Sequence, residues 1–134
     1  RFGNKGEASL SLKEWLTKNI YVTTPNNAEP FFRPRKYAKA KEEVAAVVQE
    51  TLGSLARWKV VEYRENQGRI HATHTTRLFR FVDDVNIYIV QGLDGITKLE
   101  IISQSRVGKG DLGQNKRNIK ELLTALDAKM PSQP

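Results

Sequence analysis

Arg69-Ile-His-Ala-Thr-His-Thr-Thr76, Phe79-Arg-Phe-Val-Asp-Asp-Val-Asn-Ile-Tyr-Ile-Val90 and Ile96-Thr-Lys-Leu-Glu-Ile-Ile-Ser-Gln-Ser105 are the stretches that decide the fold. Apolar residues recur in them at every second position, the period of a strand with one buried face. Ile70, Ala72, Val85, Ile87, Ile89, Leu99 and Ile101 fall on one side. Tyr63, His71, Thr73, Asn86, Tyr88 and Ile102, with Lys98 and Glu100, fall on the other. Upstream, Trp58 to Tyr63 reads as one more strand, with Asn66-Gln67-Gly68 as its turn, and Gly92-Leu-Asp-Gly95 turns the last pair. Connections of hairpin length imply antiparallel neighbours. The prediction is a four-stranded antiparallel meander with one apolar face.

Two amphipathic stretches can cover that face. From about Tyr37 to Leu55, Val44, Val47, Val48, Leu52 and Leu55 lie on one helical stripe. From about Asp111 to Lys129, Ile119, Leu122, Leu123 and Leu126 do the same, with Met130 just beyond. Ser11-Leu-Lys-Glu14 has the form of a capping box, which predicts a short helix through Trp15, Leu16, Asn19 and Ile20. Between Thr23 and Pro34 three prolines forbid helix and predict an extended connection. The expected organisation is an arm over 1–36, one α+β domain of two layers over 37–130, and a tail over 131–134.

Composition narrows the chemistry. The 134 residues suit one domain, and 39% hydrophobic with 28% charged residues describes a globular chain. The absence of cysteine excludes disulfides, thiol catalysis and cysteine-ligated metals. No apolar run is long enough to span a bilayer. Arg1 to Gly6 is a polar lead without the layout of a signal peptide. A net charge of +7 permits an anionic partner.

Individual motifs carry little catalytic chemistry. Gly108-Lys-Gly110-Asp-Leu-Gly113 matches a dinucleotide fingerprint in letters, but no strand follows its helix, so the βαβ unit is missing. A glycine turn capped by Asp111 is the simpler reading; an anion held by Arg106, Lys109 and the loop amides is the sharper one. A calcium loop opening at Asp111 fails because Leu122 stands where a bidentate glutamate belongs. Asp83 and Asp84 are strand neighbours and point to opposite faces, so one needs a buried partner, for which Arg77, Arg80 and Arg106 are candidates. His71 and His74 also face opposite ways, so no zinc site is expected. Arg33, Arg35, Lys36, Lys39 and Lys41, interleaved with Phe31, Phe32 and Tyr37, read as a solvated face paired with Glu42, Glu43 and Glu50. The same mixture suits docking through Phe31, Phe32, Arg33, Arg35 and Lys36, or nucleic-acid binding.

Leu78-Phe-Arg-Phe-Val-Asp-Asp-Val85 and Ser103-Gln-Ser-Arg-Val-Gly-Lys-Gly-Asp-Leu-Gly-Gln-Asn-Lys-Arg117, in this order, resemble domain of unknown function family 1499. The resemblance runs from about Tyr37 to Met130; the family's proline-asparagine-cysteine-valine-serine segment survives only as Pro25-Asn26-Asn27. It implies an exported or organellar setting, the bacterial envelope or the plastid or thylakoid lumen, and no established activity. It singles out Phe81, Asp83, Asp84, Ser105, Arg106, Gly108, Asp111, Gly113, Asn115 and Arg117. Of these, Asp83, Asp84, Arg106, Asp111, Asn115 and Arg117 are expected to form one polar network, either fixing the chain crossing or lining a site.

The resulting expectation is a non-catalytic binding or protein-interaction module whose partner is a protein, a membrane complex included. No catalytic residue, cofactor or metal is expected. One alternative is an enzyme or small-ligand site at the Asp/Arg/Asn cluster. A second is nucleic-acid binding through the basic surface.

Overall fold

The computed structural model describes residues 19–107 and 113–134. The strands are β1 (Ile20–Val22), β2 (Arg35–Tyr37), β3 (Trp58–Arg64), β4 (Arg69–Thr75), β5 (Val82–Gln91) and β6 (Thr97–Ser105). The helices are α1 (Lys41–Ser54), between β2 and β3, and α2 (Gln114–Lys129), after β6. One antiparallel sheet runs in the order β1-β6-β5-β4-β3, and β2 pairs with β6 beyond β1.

The α+β class, the meander and its helix-covered face agree with the sequence. Ile70, Ile87 and Ile101 stand side by side on adjacent strands and are fully buried. Val44, Val48 and Leu52 of α1 and Ile119, Leu122, Leu123 and Leu126 of α2 join them in one core. Each large side chain withdrawn from water here contributes about 1.5–3 kcal/mol.

Several features differ from the sequence reading. The sheet has six strands among the described residues, not four. The extra two come from the proline-bearing region, where Ile20–Val22 pairs with Val22↔Ile102 register and Arg35–Tyr37 with Arg35↔Leu99 register. Proline keeps this segment extended, and the exposed edge of β6 supplies the hydrogen-bonding partner that turns extended chain into strand. Consequently α1 starts at Lys41 rather than near Tyr37, with the Lys41 N–H donating to Gln91 Oε1 at 3.0 Å and Glu42 and Glu43 in its first turn.

The register shifts between Val60 and Glu62, a β-bulge that leaves Val61 52% exposed. This extra residue inverts the alternation, so Trp58, Val60 and Tyr63 all pack against the core while Glu62 and Arg64 stay outside. Tyr63 therefore belongs to the helix side, not to the mixed face. Finally, β5 begins at Val82, because residues 77–79 form a turn and Arg80 has φ 57°. The tail is also anchored: Gln133 N–H donates to Lys36 O at 2.7 Å. The short N-terminal helix predicted through Trp15 and Leu16, and the start of the last helix at Asp111, fall outside the described residues, but Ile20, expected in that helix, instead opens β1 because its backbone pairs with Gln104 on the edge of β6.

Gly68 closes the β3–β4 turn at φ 61°, with its carbonyl accepting from Ile89 N–H at 2.8 Å. A Cβ there would meet the Ile89 carbonyl, so both the left-handed backbone and the close approach require glycine.

Candidate functional site

The residues expected to form one network divide between the two faces of the sheet, because Asp83 and Asp84 alternate as strand neighbours must. On the helix side, Asp83 is buried and accepts from Asn118 Nδ2 at 2.8 Å. Its partner is thus an amide of α2; Arg77, Arg80 and Arg106 do not supply it. Around this pair lies a buried polar layer. Ser103 Oγ donates to Asn115 Oδ1 at 2.6 Å, and Asn115 Nδ2 donates to Asn19 O at 2.8 Å and Ser105 Oγ at 2.9 Å. Asn118 Nδ2 also reaches Ser103 Oγ at 3.2 Å, and Gln114 Nε2 donates to Asn118 Oδ1 at 2.8 Å.

The buried stripe of α2 therefore begins with two asparagines and continues with leucines. The asparagines dock its first turns on β5 and β6 by hydrogen bonds, and the leucines dock the remainder by burial. His74 lies on the same side, 3.9 Å from Asp83 Oδ2 through Nδ1, with its ring edge-on to Trp58. Trp58 Nε1 in turn donates to Glu121 Oε1 at 2.9 Å.

On the open face, Asp84 meets Arg106 through two bonds, Nε to Oδ2 at 2.9 Å and Nη2 to Oδ1 at 3.0 Å. His71 Nε2 lies 2.7 Å from Oδ1. Hydrogen bonding from Arg106 is the largest influence and holds the Asp84 carboxyl below its ordinary value of 3.8; partial burial opposes it, and the His71 contact adds to it. A lowered folded-state value means that the stabilisation is complete above the unfolded value and is lost as pH falls through the folded one. Asp84→Asn is therefore expected to cost up to about 1 kcal/mol near neutrality, in keeping with a half-exposed pair. Its deficit against wild type should shrink below about pH 4. Urea midpoints across that range check this, and a deficit that grows on acidification would refute it. Arg117 is on the surface and donates to Gln114 Oε1 at 3.0 Å. Asp111 lies outside the described residues.

The basic run around β2 has become largely structural. Arg35 is buried, with Nε and Nη2 bonding Asp127 at 3.0 and 2.9 Å and Nη1 donating to the Phe31 and Arg33 carbonyls. Phe32 and Tyr37 are core residues, and burial pushes the Tyr37 phenol up to about 12. Lys39 pairs with Glu43 one turn on, at 3.3 Å, as a solvated face predicts. Only Phe31, Arg33 and Lys36 of the expected docking residues remain at the surface.

A different cationic site, which the sequence reading missed, sits where β3 starts, β4 ends and β5 begins. Arg57, Lys59, Arg77 and Arg80 line a cleft of about 450 Å³ on the sheet. Trp58 and the threonines Thr73, Thr75 and Thr76 complete the lining, and no carboxylate is part of it. Two of the arginines, Arg57 (φ 71°) and Arg80 (φ 57°), are the non-glycine residues with left-handed backbone among the described residues. That conformation costs roughly 1–2 kcal/mol per residue, and at Arg57 it is held by Thr75 N–H donating to Arg57 O at 3.0 Å. Arg77 and Arg80 flank a loop, and a strand expected to begin at Phe79 takes in Arg80 and hides the pattern. Arg-Leu-Phe-Arg between two strand-like runs is the signal that could have exposed it.

Among the described residues no cluster of three metal-binding side chains occurs. No helix among them is long and apolar enough to cross a membrane. A solved structure of a START superfamily protein from Mycobacterium smegmatis is similar to this chain with a TM-score of 0.44 and 9% identity, over 84% of this chain and 97% of that one. No curated protein matches the chain. The profile of the family described as Protein of unknown function (DUF1499) matches residues 11–126, and the chain belongs to that family.

Proposed function

We propose that this chain is a non-catalytic binding module that takes a phosphate-type oxyanion at the end of its sheet. The observation that carries this reading is the convergence of Arg57, Lys59, Arg77 and Arg80 on one cleft without a lining carboxylate. Like charges gathered this way repel one another, and two of them also sit on strained backbone, so the arrangement favours an anionic guest. Guanidinium forks match the oxygens of phosphate, and three threonine hydroxyls add neutral donors. The acids offer little for proton chemistry. Asp83 is sealed against Asn118, and both oxygens of Asp84 are engaged by Arg106. This favours binding over the enzyme alternative at that cluster. The setting proposed with it, the bacterial envelope or a plastid or thylakoid lumen, rests on the family resemblance.

Titration with inorganic pyrophosphate, followed by amide chemical shifts, tests the reading. Shifts are expected at Arg57, Thr73, Thr75, Thr76 and Arg80. Charge-assisted hydrogen bonds are worth about 1.5–3 kcal/mol each, so Arg57→Gln with Arg80→Gln should weaken binding by roughly a hundredfold or more. Shifts scattered over all surface cations, or an unchanged affinity in the double variant, would overturn it.

A further inference from the structure

We infer that the β4–β5 loop, Arg77 to Arg80, docks this domain on an anionic lipid surface, with Leu78 and Phe79 entering the apolar layer and the flanking arginines meeting the headgroups. Leu78 is 79% exposed and Phe79 69% exposed, side by side at the tip of a hairpin. Large apolar side chains displayed together mark a surface that is covered in use. The loop is braced to display them. Thr76 N–H donates to Phe81 O, Phe81 N–H donates to Thr76 Oγ1, both at 2.8 Å, and the Phe79 ring stacks on Phe81 at 5.6 Å.

Charge selects the occupant. Arg77 and Arg80 bracket the tip, and Arg57 and Lys59 stand behind it in the same cleft. An apolar tip within a basic collar is the complement of an anionic bilayer surface, where apolar groups and cations bind at adjacent depths. A four-residue tip is too small for a stable protein interface, which needs roughly 800 Å² from each partner, whereas a fluid bilayer closes around a tip of any shape. The inference rests on the anion-binding reading for its headgroup contacts, and it identifies those anions as lipid headgroups.

Co-sedimentation with phosphatidylcholine vesicles, with and without phosphatidylglycerol, tests it alongside the pyrophosphate titration. Wild type is expected on the phosphatidylglycerol vesicles only. Leu78→Ser with Phe79→Ser should lower partitioning tenfold or more while leaving the pyrophosphate response intact. Replacing Arg57, Arg77 and Arg80 by Gln should abolish both, with about fivefold lost per cation in the vesicle arm. Wild-type vesicle binding by the serine variant overturns docking and leaves anion binding standing. A wild type with no pyrophosphate response sinks the anion-binding reading instead. Phe79→Trp gives a reading that does not depend on the serine variant's folding: quenching by brominated phosphatidylglycerol supports insertion, and no quenching overturns it. Preference for single-stranded RNA over the vesicles, with the serine variant binding RNA as wild type does, also overturns docking.

Discussion

Asn118→Ala is expected to destabilise the fold by about 3 kcal/mol, because it strands buried partners at once. Asp83 Oδ2 loses its donor at 2.8 Å inside the structure, and Ser103 Oγ and Gln114 Nε2 lose contacts at 3.2 and 2.8 Å. A buried polar atom left without a partner costs about 1–3 kcal/mol, whereas alanine regains only about 0.5 kcal/mol of helix propensity. Urea unfolding should show the midpoint falling with the slope unchanged. Exchanging the two groups, Asp83→Asn with Asn118→Asp, keeps one amide opposite one carboxyl and should recover at least half of the loss. A cost below about 1 kcal/mol for Asn118→Ala would show that the polar layer does not clamp α2.

Ile87→Ala is expected to cost about 3–4 kcal/mol, through lost burial and the cavity left behind. Ile87 sits between Ile70 and Ile101 in register, all three fully buried beneath the helices. Three residues along the same strand, Val90 is 55% exposed on the opposite face, so Val90→Ala should stay within about 0.5 kcal/mol. Equal costs at the two positions would mean that both faces of the sheet are covered, contrary to the two-layer architecture.

Much of this architecture was legible because its signals are local. The alternation through Ile70, Ala72, Val85, Ile87 and Ile89 names the buried face, and the stripe from Ile119 to Leu126 names the helix that covers it. The opposite orientations of Asp83 and Asp84, and of His71 and His74, follow from the same two-residue period. The partner of Asp83 was not legible. Arginine is the usual companion of a buried acid, and nothing near Asp83 in sequence points to an asparagine on the far helix. Tyr63 was misplaced because a bulge at Val61 leaves no local trace. The basic run around Arg35 looked available because Asp127, which neutralises it, lies at the other end of the chain.

By itself, the order of residues determined the α+β class, the antiparallel meander, the face that is buried and the family, since each depends on spacing over a few positions or on contiguous motifs. Only the tertiary structure decided that Ile20–Val22 and Arg35–Tyr37 complete the sheet, that Asp83 pairs with Asn118 and Asp84 with Arg106, and that Arg57 meets Arg77 and Arg80. Each of those facts is a meeting of residues distant in sequence. Strand pairing, partner choice and charge convergence are set by what the folded core leaves room for at each sheet edge and loop.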